Sequence, residues 1–161
     1  MTFNSPLFLW LPLLAVAAHL VEEFVWPGGF ARWYRAYRPE RAASVTTVFL
    51  VAVNAVLVAM AFVPPLLGRT AAGEAWWLVV AAVGAANACF HLWATVRTRT
   101  YSPGVVTGAL LYLPLAALGV VELVAPGRAS LLTTAQAIAA GVGFHVWSAW
   151  NHRRRAAASL T

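Results

Sequence analysis

Apolar residues come in five long runs, at residues 6–26, 44–67, 74–96, 103–125 and 131–150. Each is about 20 residues or more, the length a helix needs to cross a bilayer. Pro27-Gly28-Gly29 stops the first run, and Pro64-Pro65 falls near the end of the second. Pro12 and Pro114 lie inside runs, where membrane helices tolerate a kink. Two stretches of small residues, 81–88 and 139–143, suit close helix contact. No long polar linker separates the runs. The pattern predicts an all-α integral membrane bundle of five transmembrane helices, in one domain over residues 1–161.

The segment 30–41 has a different rhythm. Phe30, Trp33, Tyr34 and Tyr37 fall at i, i+3, i+4 and i+7, one stripe of a helix, while Arg32, Arg35 and Arg38 point elsewhere. This predicts a short interfacial amphipathic helix after the first span. Such a stripe serves as an aromatic–arginine anchor or as a lid beside a site. The anchor is the commoner use and is the expectation here.

Composition agrees with a membrane class. Hydrophobic residues make up 61% and charged residues 10%, against about 25% charged in soluble domains. One cysteine excludes a disulfide framework and a cysteine-based zinc site. Ala15-Val16-Ala17 resembles a signal-peptide cleavage site, but no Lys or Arg precedes the first run, so that run reads as a retained span.

The net charge of +6 comes from arginine alone. These arginines sit in short loops between apolar runs, which fits positive-inside topology better than nucleic-acid binding. Nine of them (32, 35, 38, 41, 97, 99, 153, 154, 155) fall in the first loop, the third loop and the C-terminal segment, and only Arg69 and Arg128 in the other loops. The expected orientation has the N-terminus outside and the C-terminus cytoplasmic, in a multi-pass cell-membrane protein.

The first run also contains Ala18-His19-Leu20-Val21-Glu22-Glu23. Ionisable groups in hydrocarbon are costly and persist mainly where they pair, bind an ion or do chemistry. Glu22 and Glu23, at i+3 and i+4 from His19, flank it on one helical face. In the proposed topology, spans one, three and five run in the same direction. His19, His91 and His145 then sit roughly 9–12 Å from the cytoplasmic ends of their helices, at ~1.5 Å per residue. Asn87 and Thr95 stand one turn either side of His91, and Ser148 follows His145 by three residues.

This set suits a divalent metal, zinc or non-haem iron, with His19, Glu22, Glu23, His91 and His145 as candidate ligands. Glu22 and Glu23 are also the candidate catalytic carboxylates, one holding the ion and the other moving a proton. Asn87, Thr95 and Ser148 would support the ligands from behind. Alternatives are protonated glutamates, or Arg32 or Arg97 reaching inward. Cys89 points away from His91 and is excluded as a ligand. Asn54 and Tyr112 are weaker polar candidates, Glu122 reads as interfacial, and Ser102 matters only if it turns toward the site.

His19-Leu20-Val21-Glu22-Glu23 resembles the signature of the HXXEE-domain membrane proteins, and Asn87-Ala88-Cys89-Phe90-His91 their Asn-x-x-x-His motif. Ser102-Pro103-Gly104 and His145 fit the same pattern. The resemblance implies a multispanning membrane protein with a His/Glu site and no established reaction. The reading that follows is a metal-dependent, hydrolase-like membrane enzyme acting on a lipid or other apolar substrate. Metal-free His/Glu isomerisation, proton, ion or small-molecule transport, and haem binding are the competing readings.

Overall fold

The computed structural model describes residues 5–158, and the ends of the domain expected over 1–161 lie outside that range. Among the described residues there is no strand. The helices are α1 (Leu7–Phe24), α2 (Phe30–Tyr37), α3 (Thr47–Leu67), α4 (Ala71–Thr98), α5 (Val105–Val124) and α6 (Leu131–Ala158). A 3-10 turn, Pro39–Ser44, joins α2 to α3. α5 contains two π-helical stretches, Gly108–Tyr112 and Val120–Val124.

Four helices, α1, α3, α4 and α5, are long and apolar enough to cross a membrane. The expected fifth span is present as α6, with 28 residues, but is not among them. Gln136, His145, Ser148 and Asn151 dilute its apolar character. It also runs eight residues past the expected end at 150. Nothing in 151–158 breaks a helix, since arginine and alanine are good helix formers.

α4 is the central helix and packs against α1, α3, α5 and α6. Its small residues allow this. A Cβ on Gly141 of α6 would stand 2.7 Å from the Ala82 backbone, so α4 and α6 touch at their two small-residue stretches. Pro12 has no N–H to give the Phe8 carbonyl one turn back. The Trp77 indole of α4 donates to that carbonyl at 2.9 Å, and its ring stacks on Phe8 with centroids 4.6 Å apart. The carbonyl that Pro12 leaves free is thereby tied to the central helix. Outward-facing Leu14, Val21, Val51, Leu110 and Ile138 are exposed, as a lipid solvent allows.

Candidate functional site

α1 and α4 meet with His19, Glu23 and His91 facing one another, all buried. One carboxylate oxygen, Glu23 Oε1, lies 3.4 Å from His19 Nε2 and 3.1 Å from His91 Nε2. The three ligand atoms are all within 4.8 Å of one another. A tetrahedral zinc with bonds of ~2.1 Å sets its ligands ~3.4 Å apart, so these spacings suit the edges of a coordination shell.

The hydrogen bonds behind the rings turn both Nε2 atoms toward Glu23. Thr107 Oγ1 donates to Glu22 Oε2 at 2.5 Å. Its one proton is then used, so it accepts from His19 Nδ1–H at 2.8 Å. His19 Nε2 therefore carries its lone pair toward Glu23. His91 Nδ1 pairs with Ser102 Oγ at 2.8 Å, and His91 Nε2 has no hydrogen-bond partner of good geometry. Orienting bonds of this kind are what metal-binding imidazoles use. Asn87 Nδ2 lies 2.9 Å from His19 Nε2, the second contact at that lone pair.

Glu22 does something else. Its Oε1 accepts from the Tyr101 hydroxyl at 2.6 Å and the Val106 N–H at 3.0 Å. Its Oε2 accepts from the Thr107 N–H at 2.7 Å as well as the Thr107 hydroxyl. Four donors use the capacity of a carboxylate. Glu22 thus caps the N-terminus of α5 from another helix, where the orphan N–H groups and the helix dipole favour an anion. It reaches the histidine cluster only through Thr107. Burial, and then the Glu22 carboxylate it serves, push the Tyr101 phenol up, so it stays a donor.

His145 is not brought to the cluster. Its Nε2 donates to the Val83 carbonyl at 3.0 Å, eight residues before His91 on α4. The shared depth expected for three histidines took Arg153 as the membrane edge. α6 carries its helix past that point, so His145 sits about two turns further along the bundle. Thr95 Oγ1 is buried without a partner, and Ser148 faces a cavity beside His145. Arg32 and Arg97 are exposed, and among the described residues the ion pairs of Glu23 are with histidines only.

The loop before α5 holds the residues that sequence reading undervalued. Ser102 is fully buried and turned to His91. Gly104 adopts φ +103, and a Cβ there would stand 2.7 Å from His19 Cε1 and 2.9 Å from His91 Cε1. Both the left-handed backbone and the closeness of the rings call for glycine. One signal for Tyr101 and Thr107 was present in the sequence: α5 has no acidic residue in its first turn and no side-chain cap of its own.

α2 lies over the cluster. Phe30 and Trp33 have ring centroids 6.1 Å from His91, and Tyr34 is buried. Its aromatic stripe faces the bundle while Arg32 and Arg35 face out, so the helix roofs the site instead of only anchoring in lipid. Beneath it a cavity of about 460 Å³ runs from Glu23, Asn87 and Tyr112 to Asn54 and His145, within the usual range for small-molecule sites.

A family described as proteins of unknown function with an HXXEE motif matches residues 10–119. That is more than half of the chain. The chain belongs to the HXXEE family. The family segment contains His19, Glu22, Glu23, Asn87, His91, Tyr101, Ser102, Gly104 and Thr107, so the whole cluster and its supports lie within it, while His145, Ser148 and His152 lie beyond its end. Neither the curated proteins nor the solved structures give this HXXEE protein a significant match.

Proposed function

We propose that this HXXEE protein is a multi-pass cell-membrane enzyme that holds a divalent metal between His19, His91 and Glu23. The observation that carries the reading is the convergence of two buried imidazole nitrogens and one carboxylate oxygen. Three protein ligands with an open position are the pattern of catalytic zinc, and two histidines with one carboxylate also suit non-haem iron. The open side would face the cavity, and the substrate would be a lipid or other apolar molecule. Hydrolysis by a metal-activated water is the reaction class this supports best. With its oxygens saturated, Glu22 holds Thr107 and α5 in place and is not the proton carrier.

The topology proposed has five spans with the C-terminus cytoplasmic, α6 being the fifth over about residues 131–150. The arginine asymmetry supports it. Its two exceptions, Arg69 and Arg128, both pair with Glu74, which lowers their combined formal charge to +1.

Metal analysis of detergent-purified protein tests the proposal. Stoichiometric zinc or iron is expected in the wild type and its loss in Glu23→Gln. A metal-free wild type, with His91→Ala unchanged in stability, would overturn it. A metal-free acid–base site, isomerase-like, is the second reading. The Asn87 contact at His19 Nε2 favours it, because an amide N–H there takes the lone pair a metal would use. On that reading chelation leaves the thermal midpoint where it was, whereas loss of a bound metal lowers it.

A further inference from the structure

The cavity extends along α3 and α6. Its wall on α3 runs from Phe49 to Leu57, about 12 Å at ~1.5 Å per residue, and on α6 from Val142 to His152, about 15 Å. These walls are mostly apolar, with Leu50, Val53 and Phe144 among them, and Val83 of α4 adds to them. At one end, where α3 begins and α6 reaches His152, the lining changes to Arg38 and Arg41. The two arginines share one exposed partner, Glu40, at 4.0 and 3.6 Å. Two guanidiniums against one carboxylate leave a formal charge of +1. Arg41 Nε is buried and has no hydrogen-bond partner. Further in, the Tyr112 hydroxyl is also buried and unpartnered beside the same cavity.

We infer that this cavity seats a single-chain amphiphile with an anionic head, the head at Arg38 and Arg41 and the chain along α3 and α6. The apolar slot matches an extended chain in length and direction, and the surplus positive charge matches the head. A guanidinium fork with an unused N–H suits a carboxylate or a phosphate. The Glu23 cluster then lies at the wall of the slot, beside the bound molecule. The inference gives a substrate class to the enzymatic reading and rests on it only for the fate of the ligand, since binding is measured apart from chemistry.

The test is equilibrium binding of radiolabelled oleate, oleoyl-lysophosphatidate and oleyl alcohol to the protein in phosphatidylcholine nanodiscs, with empty nanodiscs as baseline. Saturable binding of at least one anion, about tenfold or more tighter than the alcohol, is expected. The stronger of the two anions identifies the head as carboxylate or phosphate. Arg38→Gln with Arg41→Gln should weaken the anion about tenfold and leave the alcohol unchanged. Raising the salt should act in the same sense. Val53→Trp or Val142→Trp, each checked for folding by its thermal midpoint, should block both ligands. Chelator treatment, which would remove the metal and leave the lining intact, should keep anion binding, so the two proposals fail separately. No saturable binding, equal affinity for anion and alcohol, or indifference to the arginine changes would overturn the inference.

Discussion

Two buried glutamates sit toward opposite ends of α4, and they are held in opposite ways. Glu74, in its first turn, meets Arg128 through both carboxylate oxygens and Arg69 Nε at 3.4 Å. Glu23, packed against His91 near the other end, has no guanidinium partner among the described residues and lies against the Nε2 atoms of two histidines. Both are about 5% exposed. A carboxylate removed from water needs compensation in either place. At Glu74 fixed cations built into the chain provide it, and the result is a clasp between the α3–α4 and α5–α6 loops. At Glu23 nothing permanent does. A cation or a proton must complete the site, and this separates a place that holds the fold from one poised to bind.

The largest expected effect is an unequal loss of stability. Glu74→Gln leaves two arginines without their carboxylate and should cost about 2 kcal/mol. That lies below the 3–5 kcal/mol of a fully buried pair, because Arg128 is 39% exposed and screened. Glu23→Gln replaces a carboxylate paired only with histidines, so in the metal-free protein it should cost clearly less than Glu74→Gln. Denaturation of chelator-treated samples in mild detergent reads both. The comparison fails if the two substitutions destabilise alike.

How much of this contrast the sequence carried depends on the kind of signal. The helices followed from apolar run length, and their observed bounds fall within a few residues of the expected ones, except at the end of α6. His19 and His91 stood out as costly groups in apolar runs, each spaced from its helix end. Glu22 and Glu23 could not be separated, because neighbouring positions at i+3 and i+4 lie on one face. What separates them is a contact 85 residues away, with Thr107, which no local pattern contains. His145 was misplaced for a similar reason, since depth was counted from an arginine that α6 carries beyond the expected edge. Of the Arg69–Glu74–Arg128 clasp, only the two arginines were read, as loop charges, although a glutamate opening an apolar run beside a loop arginine was a usable signal.

A smaller effect should follow from the link between Glu22 and the cluster. Thr107→Val keeps the shape of the side chain but removes the hydroxyl that orients His19 and donates to Glu22. The backbone N–H groups of Val106 and Thr107, with Tyr101, still hold the carboxylate, so α5 keeps its cap. Loss of an orienting partner behind a metal-bound histidine typically weakens the metal 10- to 100-fold. Competition with a chelator of known affinity measures this. Unchanged affinity would mean that Glu22 belongs to the Glu74 kind of role alone, with no influence on the site.

The smallest effect tests a third polar group, His152, which is buried with fixed partners as Glu74 is, and whose free imidazole titrates near neutral pH. Its Nδ1 lies 2.6 Å from Ser44 Oγ. That hydroxyl gives its proton to the Arg41 carbonyl, so it accepts from His152 Nδ1–H. Tyr34 stacks on the ring and Phe49 meets it edge-on. Burial, followed by the charges of Arg41 and Arg155, holds the imidazole down at about 4, against 6.5 when free. The folded protein therefore keeps His152 neutral while the unfolded chain protonates it first. Between about 6.5 and about 4 the unfolded state binds more protons, so the stability contributed by His152 is complete above this window and is lost as pH falls through it. Thermal midpoints across the window should decline with acid, and His152→Gln should flatten that decline while leaving the Glu74 and Glu23 effects as they were. A decline of equal slope in the variant would place the acid sensitivity outside His152.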